Sequence, residues 1–340
     1  MSVASVFLLG ATGYVGGHIL TSLAKDYPEF PVRALVRNLT PEKTAALKAL
    51  HAKIDPIEGS LADLKLIEEE AKKADIVINF GTVGDLPSVE ALLRGQLARS
   101  DTKPTIIPIH IYLSGTGLLA DGSKGELWAP EELWIDTKYD SSSLEKSKVE
   151  LMKNDCLAIV EAEKTGKIRT MIMCPGIIYG IGAGLQKISS THRVYLDFIF
   201  EHKTGYSGTF GPGRNVYGFV HIQDIADAVS MLIQKVLAAE SLGTVETGFY
   251  FVVSKYMVSS KDLCSIIGDT LYKKGLVSKP GATPYPPPLA ELGDENMNLI
   301  LNSNTIGYAE RLSKMGWTAK HTEAVNFFES VPREIELALK

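Results

Sequence analysis

The chain has 340 residues, more than one ordinary hydrophobic core accommodates, so two lobes or a large α/β domain carrying a smaller one are expected. Its 35 basic and 40 acidic side chains give a net charge of −5, which leaves no cationic excess for phosphate backbones and argues against nucleic acid as a partner. Cys156, Cys174 and Cys264 show no C-x-x-C or zinc-ligand spacing, and the histidines form no H-x-x-x-H pair. Neither a disulfide framework nor a metal is expected, and a reduced cytoplasmic setting fits best.

From Met1 to Ala24 there is no Asp, Glu, Lys or Arg, yet the stretch reads neither as a signal peptide nor as a membrane span. Its first basic residue is Lys25, so it lacks a positive n-region, and Gly10, Thr12, Gly13, Gly16, Gly17 and His18 interrupt the apolar run. It divides into a strand over Val3–Leu9, a glycine turn and a helix over Tyr14–Lys25. Further strands are expected at Val32–Val36, Ile54–Ile57, Ile76–Phe80, Ile106–Leu113 and Ile168–Met173. Amphipathic helices are expected at Pro41–Leu50, Leu61–Lys73, Val89–Ala98 and Ser143–Glu163. This alternation predicts an α/β fold with a doubly wound parallel sheet.

The second half is less regular. Residues 181–217 are rich in Gly, His and aromatic side chains, and residues 279–288 read as a stiff extended connector. A helix over Ile222–Glu240, a strand over Phe249–Val253 and helices over Ser260–Lys274 and Thr322–Leu339 surround them. The expected division is a dinucleotide-binding domain at 1–180, completed by about 219–253. A smaller C-terminal α/β substrate lobe would be formed by 181–218 and 254–340.

The turn reads Gly10-Ala11-Thr12-Gly13-Tyr14-Val15-Gly16, directly after a strand and opening a helix. Gly10 permits the tight turn, Gly13 lets backbone approach a pyrophosphate and Gly16 lets the helix pack close to the sheet, the pattern of a Rossmann-type site. The helix N-terminus then offers N–H groups and a positive dipole to the phosphates. Thr12, Tyr14 and Val15 belong to the same expected contact. Twenty-one residues after Gly16, at the end of the second strand, stands Arg37. A guanidinium there suits a ribose 2′-phosphate, with Asn38 and Thr40 as further donors, so NADP(H) is the expected cofactor.

These residues resemble the extended short-chain dehydrogenase/reductase superfamily and its atypical, epimerase/dehydratase-like branches. The glycine motif matches, although Leu9 stands where many members have Thr. Cys174-Pro175-Gly176-Ile177-Ile178-Tyr179-Gly180 is similar to the family's P-x-x-V-Y-G segment beside the nicotinamide. Phe219-Val220-His221-Ile222-Gln223-Asp224-Ile225-Ala226 is similar to its F-V-H-V-x-D-V-A segment, and Met315-Gly316-Trp317 to its L-G-W. Ser60-Leu61 occupies the place of the family's adenine-side Asp-Leu. The resemblance implies cofactor contacts from these two residues, from Phe80 and Gly81 closing the fourth strand, and from Pro175 and Ile178. It also implies a small-molecule substrate in the cleft between lobes and a homodimer.

In that family a hydroxyl residue after the fifth strand and a Tyr-x-x-x-Lys pair on the next helix carry hydride-transfer chemistry. Thr116 matches the hydroxyl position, with Ser114 the near alternative. Ser147-Lys148-Val149-Glu150 is similar to the S-K-x-x-E continuation, which makes Lys148 the matching lysine and a ribose contact. The tyrosine position is then 144, and residue 144 is leucine. Tyr139 has two readings, an acid folded back from the loop preceding a helix capped at Ser142, or a packing residue. His192 and Arg193 are candidates to meet an anionic or carbonyl ligand. One functional reading is an NADP(H)-dependent oxidoreductase, or an epimerase/dehydratase-type enzyme, acting on a small carbonyl, imine or enone. The other is a regulator that binds NADP without turnover.

Overall fold

The computed structural model describes residues 3–102, 107–128, 133–238, 248–292 and 294–340. Strands β1 (Val6–Leu9), β2 (Val32–Val36), β3 (Ile54–Glu58), β4 (Ile76–Asn79) and β5 (Ile109–Leu113) alternate with α1 (Tyr14–Asp26), α2 (Pro41–Leu50), α3 (Leu64–Lys73) and α4 (Leu86–Thr102). After a short strand β6 (Trp134–Ile135) come α5 (Ser141–Glu145), α6 (Glu150–Lys164), β7 (Arg169–Pro175) and β8 (Ile177–Tyr179). Then follow α7 (Ser190–Glu201), β9 (Val216–His221), α8 (Ile222–Leu237), β10 (Phe249–Val252) and β11 (Met257–Ser259). The chain closes with α9 (Ser260–Lys273), α10 (Pro287–Ala290), α11 (Glu295–Leu301), β12 (Gly307–Tyr308), α12 (Glu310–Lys314), α13 (Lys320–Ala324) and α14 (Phe327–Ala338).

Seven parallel strands form the main sheet in the order β10-β7-β5-β4-β1-β2-β3. Its inner strands are largely apolar because both faces are covered, whereas the edge strand β3 carries the exposed Asp55 and Glu58. The period-2 alternation sends Val6, Leu8, Ala34 and Ile78 into one core cluster with residues of α1 and α8, and Phe7, Leu9, Leu35 and Val77 into another with residues of α3 and α4. The order reverses between β1 and β4, so a crevice opens over the C-terminal ends of those strands, where doubly wound sheets bind ligands.

Two smaller sheets, β11-β9-β8 and β12-β6, lie outside the main one. A third cluster of aromatic and aliphatic residues from α7, β9, α9 and α14 packs against the β11-β9-β8 sheet, whereas Trp134 of β6 packs on the cluster behind β5. The two halves meet within β9: Phe219 packs in the third cluster while Val220 packs under the main sheet. Trp317 joins the main-sheet cluster, with its indole N–H donating to the Asp224 carbonyl at 2.9 Å.

Several expected boundaries shift for local reasons. The third helix begins at Leu64 and not Leu61, because the Asp63 carboxylate accepts from the Ser60 N–H and hydroxyl and holds that stretch as a turn. The helix expected over Ser143–Glu163 is two helices, separated at Lys146–Val149. The Ser147 hydroxyl accepts from Val149 N–H at 3.4 Å there, offering the backbone an alternative to the helical bond. The cap of α5 is Asp140, whose carboxylate accepts from Ser143 N–H at 2.8 Å, and not Ser142, whose hydroxyl donates to it. The Thr322–Leu339 helix likewise divides, restarting at Phe327 after the Asn326 cap. The expected connector bends at 279–281, where Gly281 has φ +68°, is extended only from Ala282 to Pro286, with Tyr285 N–H bonding the Thr209 carbonyl, and turns into α10 at Pro287. Residues 239–240, closing the expected Ile222–Glu240 helix, and Ile106 of the fifth strand lie outside the described residues.

Candidate functional site

The glycine turn sits over the strand-order reversal. Gly10 has φ +89°, and a Cβ there would lie 2.2 Å from the Phe80 carbonyl; one on Gly16 would lie 2.2 Å from the Gly10 carbonyl. Glycine is required at both, because the obstacles are backbone atoms that cannot rotate away. The same contacts put Phe80 and Gly81 against the turn. Gly13 caps α1 without any side-chain bond, and the first turn of α1 holds no acidic residue. The first-turn N–H groups and the helix dipole are therefore open to an anion, as a pyrophosphate requires.

At the exit of β2, Arg37 is exposed and has no side-chain partner among the described residues, and Asn38 adopts a left-handed φ of +50°. The Lys43 ammonium folds back over this corner, donating to the carbonyls of Arg37 (3.0 Å) and Asn38 (2.8 Å). Thr40 is occupied as the α2 cap, its hydroxyl accepting from Lys43 N–H. Two cations thus share the β2–α2 turn, the second of which carries no sequence motif. Ser60 is half-buried with its hydroxyl committed to Asp63, and Leu61 packs on the cluster under α3.

A cavity of about 470 Å³ continues from the turn toward the second lobe. Tyr14, Val15, Ser114, Thr116, Pro175 and Ile178 line it, joining residues that are scattered in sequence. Ser114 and Thr116 leave β5 side by side, both buried. The buried Cys156 thiol donates to the Ser114 hydroxyl at 3.6 Å, and burial pushes that thiol up to about 12, so it keeps its proton. The Ser114 proton is then directed away from Cys156. Sequence reasoning did not find Leu151 and Met152 of α6, Ser190 and Thr191 of α7, Tyr217 of β9 or Ile300 of α11, all of which line the same wall. For Tyr217 the adjoining Phe219-Val220-His221 motif is a usable signal; α11 carries none.

The wall lacks both other expected catalytic groups. Tyr139 is 1% exposed, and its ring packs edge-on against Trp134, Phe249 and Phe251, so it is a core residue and not an acid at the cleft. Lys148 falls in the break between α5 and α6, exposed, with its ammonium donating to the Asp121 carbonyl at 2.5 Å. It does not line the cavity. A Tyr-x-x-x-Lys pair needs both residues on one helical face, and here Leu144 ends up fully buried in α5 while Lys148 lies beyond that helix. The two wall tyrosines are poor acids: burial raises Tyr14 well above its ordinary value and Tyr217 up to about 12. Their hydroxyls donate to the carbonyls of Gly180 (2.6 Å) and Leu301 (2.5 Å).

His192 is turned away from the cleft, its Nδ1 lying 3.2 Å from the buried Glu334 carboxylate, and Arg193 is exposed. His221 bonds within the strand–helix junction, accepting from Gln223 N–H. Asp224, Asp227 and His321 bring ligand-type atoms within 4.8 Å of one another. Asp224 already accepts from His321 N–H and from Thr322, and Lys320 is paired with Asp227 at 2.9 Å, so a protein ammonium supplies the positive charge there.

Residues 3–97 match the NmrA-like family. The chain is 30% identical to the oxidase ucsJ of Acremonium sp over 286 residues, 80% of either chain. The chain belongs to the extended and atypical short-chain dehydrogenase/reductase superfamily. Among solved structures of this superfamily, the dTDP-glucose 4,6-dehydratase of Bacillus anthracis in complex with NAD superposes with a TM-score of 0.65 at 12% identity, covering 99% of this chain and 97% of the other. The UDP-glucose 4-epimerase of Thermotoga maritima, with UDP-glucose, gives 0.62 at 14% identity over 99% and 100%. These likenesses concern the fold: a Rossmann-type sheet used by oxidoreductases, epimerases and dehydratases. No helix among the described residues is long and apolar enough to cross a membrane.

Proposed function

We propose that the protein is an NADP(H)-dependent oxidoreductase acting on a small organic carbonyl, imine or enone, or on the corresponding alcohol. The observation that carries this reading is that the uncapped N-terminus of α1 opens on the cavity: Tyr14 and Val15 of its first turn line the same wall as Ser114 and Thr116, while the cationic β2–α2 turn follows the neighbouring strand of the sheet. Arg37 holds the 2′-phosphate with Lys43 beside it, and Gly10, Thr12, Gly13 and Gly16 form the pyrophosphate seat. When bound, the nicotinamide supplies or takes up hydride at one face of the substrate.

The chain's own groups orient the substrate. Thr116 and Ser114 donate to the substrate oxygen, stabilising negative charge that develops on it, and Cys156 keeps the Ser114 hydroxyl pointed outward. With no Tyr–Lys pair in the wall, the proton reaches that oxygen through these hydroxyls from water, which suits acceptors that do not need a strong acid. The lobe assignment given above, a cytoplasmic setting and a homodimer through the helices flanking the sheet go with this reading; light scattering checks the last.

The test is cofactor titration followed by turnover. NADPH should bind more tightly than NADH, and NADPH should be consumed with at least one ketone, imine or enone of a broad panel. The absence of the Tyr–Lys pair favours the second reading, a regulator that senses NADP. Tight NADPH binding with no consumption across the panel would decide for it.

A further inference from the structure

We infer that the cleft selects an uncharged, largely apolar substrate and excludes nucleoside-diphosphate sugars; this rests on the cofactor assignment just proposed. Among the described residues, the cavity wall contains no lysine, arginine or histidine. Its bulk is Val83, Leu151, Met152, Ile177, Val194 and Ile300, drawn from five separate parts of the chain. The wall's one carboxylate, Asp294, is spent as the cap of α11, accepting from Met297 N–H at 2.9 Å.

The polar groups that remain are dipoles. They include the hydroxyls of Ser114, Thr116, Ser190 and Thr191, the amide of Asn296 and the N-terminus of α7, whose Ser189 cap makes no side-chain cap bond, whereas the hydroxyls of Tyr14 and Tyr217 are already given to carbonyls. A helix terminus offers about half a positive charge. That serves a carbonyl oxygen or the partial charge of a developing enolate. It does not neutralise a diphosphate, which brings about two full negative charges and would lose its hydration against an apolar wall. Arg193 and Lys153, each next in sequence to a wall residue, do not line the wall: Arg193 is exposed and Lys153 is paired with Glu150 at 2.7 Å. The volume argues the same way: about 470 Å³, part of it beside the cofactor turn, suits a compact ring system.

The experiment uses the full chain loaded with NADPH, with 1-tetralone, carvone and menthone as neutral probes and UDP-glucose and UDP-glucuronic acid as charged ones. Binding is followed by intrinsic fluorescence and by thermal shift. At least one neutral ketone should bind about tenfold more tightly than either sugar nucleotide. Ile300→Arg, which puts a cation into the wall, should weaken that ketone by about tenfold, whereas Arg193→Ala, outside the wall, should change it by less than about threefold; NADPH titration shows whether each variant is folded. If NADPH binds and a sugar nucleotide competes as well as the ketones, or no neutral probe binds, the inference is overturned while the cofactor assignment stands. If NADPH fails to bind, the proposed function falls first.

Discussion

At the end of β1 the site is made of backbone: two glycines without room for a methyl group, and a helix N-terminus left free of side chains. At the end of β5 it is made of side chains, and there the residues that define the superfamily's chemistry are replaced. Leu144 takes the tyrosine position and Lys148 turns to the Asp121 carbonyl. A pyrophosphate seat tolerates little variation, because its geometry is set by main-chain contacts that every cofactor-binding member shares. A catalytic wall is rebuilt whenever the substrate changes, provided the helices behind it still pack.

The contrast is broken most sharply by Gly16→Ala. The added Cβ meets the Gly10 carbonyl at 2.2 Å with no side chain able to give way, so α1 must move off the sheet. NADPH affinity should fall by more than about 100-fold and stability by about 2–4 kcal/mol, read by fluorescence titration and urea denaturation. Gly166→Ala is the matched control: its φ of +71° is also left-handed, but nothing lies within 4 Å of the added carbon. It should cost about 1 kcal/mol and leave the cofactor untouched.

Arg37→Asp tests the chemistry of the same half without disturbing its backbone. Removing a charge-assisted contact and placing a carboxylate beside a phosphate should weaken NADPH by about 10–100-fold while NADH binding holds or improves. Equal losses for both cofactors would show that Arg37 does not face the 2′-phosphate.

Leu144→Tyr turns to the other half. A simple view of the family motif expects a gain in turnover from restoring the tyrosine. The structure predicts the opposite: Leu144 is fully buried in the cluster behind β5, so the larger ring overpacks it, costing about 1–3 kcal/mol with no added activity. A rise in NADPH turnover would mean that position 144 does reach the cleft.

This is also where sequence reading stopped being sufficient. The order of strands, the glycine turn and the basic residue after β2 were legible because period, spacing and turn chemistry are local. The fate of Lys148 was not, since it depends on whether one helix or two follows β5. That turns on the Asp140 cap and on Ser147 accepting from Val149 N–H, details that a run of Ser, Glu and Lys residues does not distinguish from an unbroken helix. Tyr139 was placed by three distant aromatic rings, and the wall residues of α11 by a fold that brings position 300 beside position 117.

Acid should act on the seam between the two halves as well as on the buried His110 of β5, whose pKa burial pushes down to about 3. His18 of α1 accepts from Ala183 N–H at Nδ1 (3.1 Å) and meets the Gln223 side-chain oxygen at Nε2 (3.0 Å), an arrangement that uses the neutral ring. Burial, opposed by Gln223 and Asp227 and reinforced by His321 and Lys187, lowers its pKa. Because the unfolded chain takes up this proton near the ordinary value of about 6.5, the stabilisation is full above that pH and is lost as pH falls toward the folded value. The protection factor of the Ala183 amide, its exchange rate corrected for the intrinsic pH dependence, should fall between pH 7 and 5 in the wild type more than in His18→Gln. An identical response in both would assign the acid sensitivity to other histidines.

The smallest expected effect is the most discriminating for the catalytic half. In a superfamily member with the usual Tyr–Lys pair, removing the lysine strips a ribose contact and an acid's partner together. Here Lys148 is exposed, and its one described bond is to a backbone carbonyl in the loop that Asn304 already ties down through the Asp121 side chain. Lys148→Ala should therefore change NADPH affinity by less than about twofold and stability by less than about 0.5 kcal/mol. The null result is informative because Arg37→Asp, at a residue equally exposed, is expected to be large. If Lys148→Ala instead weakens NADPH tenfold, the break between α5 and α6 must close on cofactor binding and swing the lysine inward. The two halves of the site would then be coupled through that hinge.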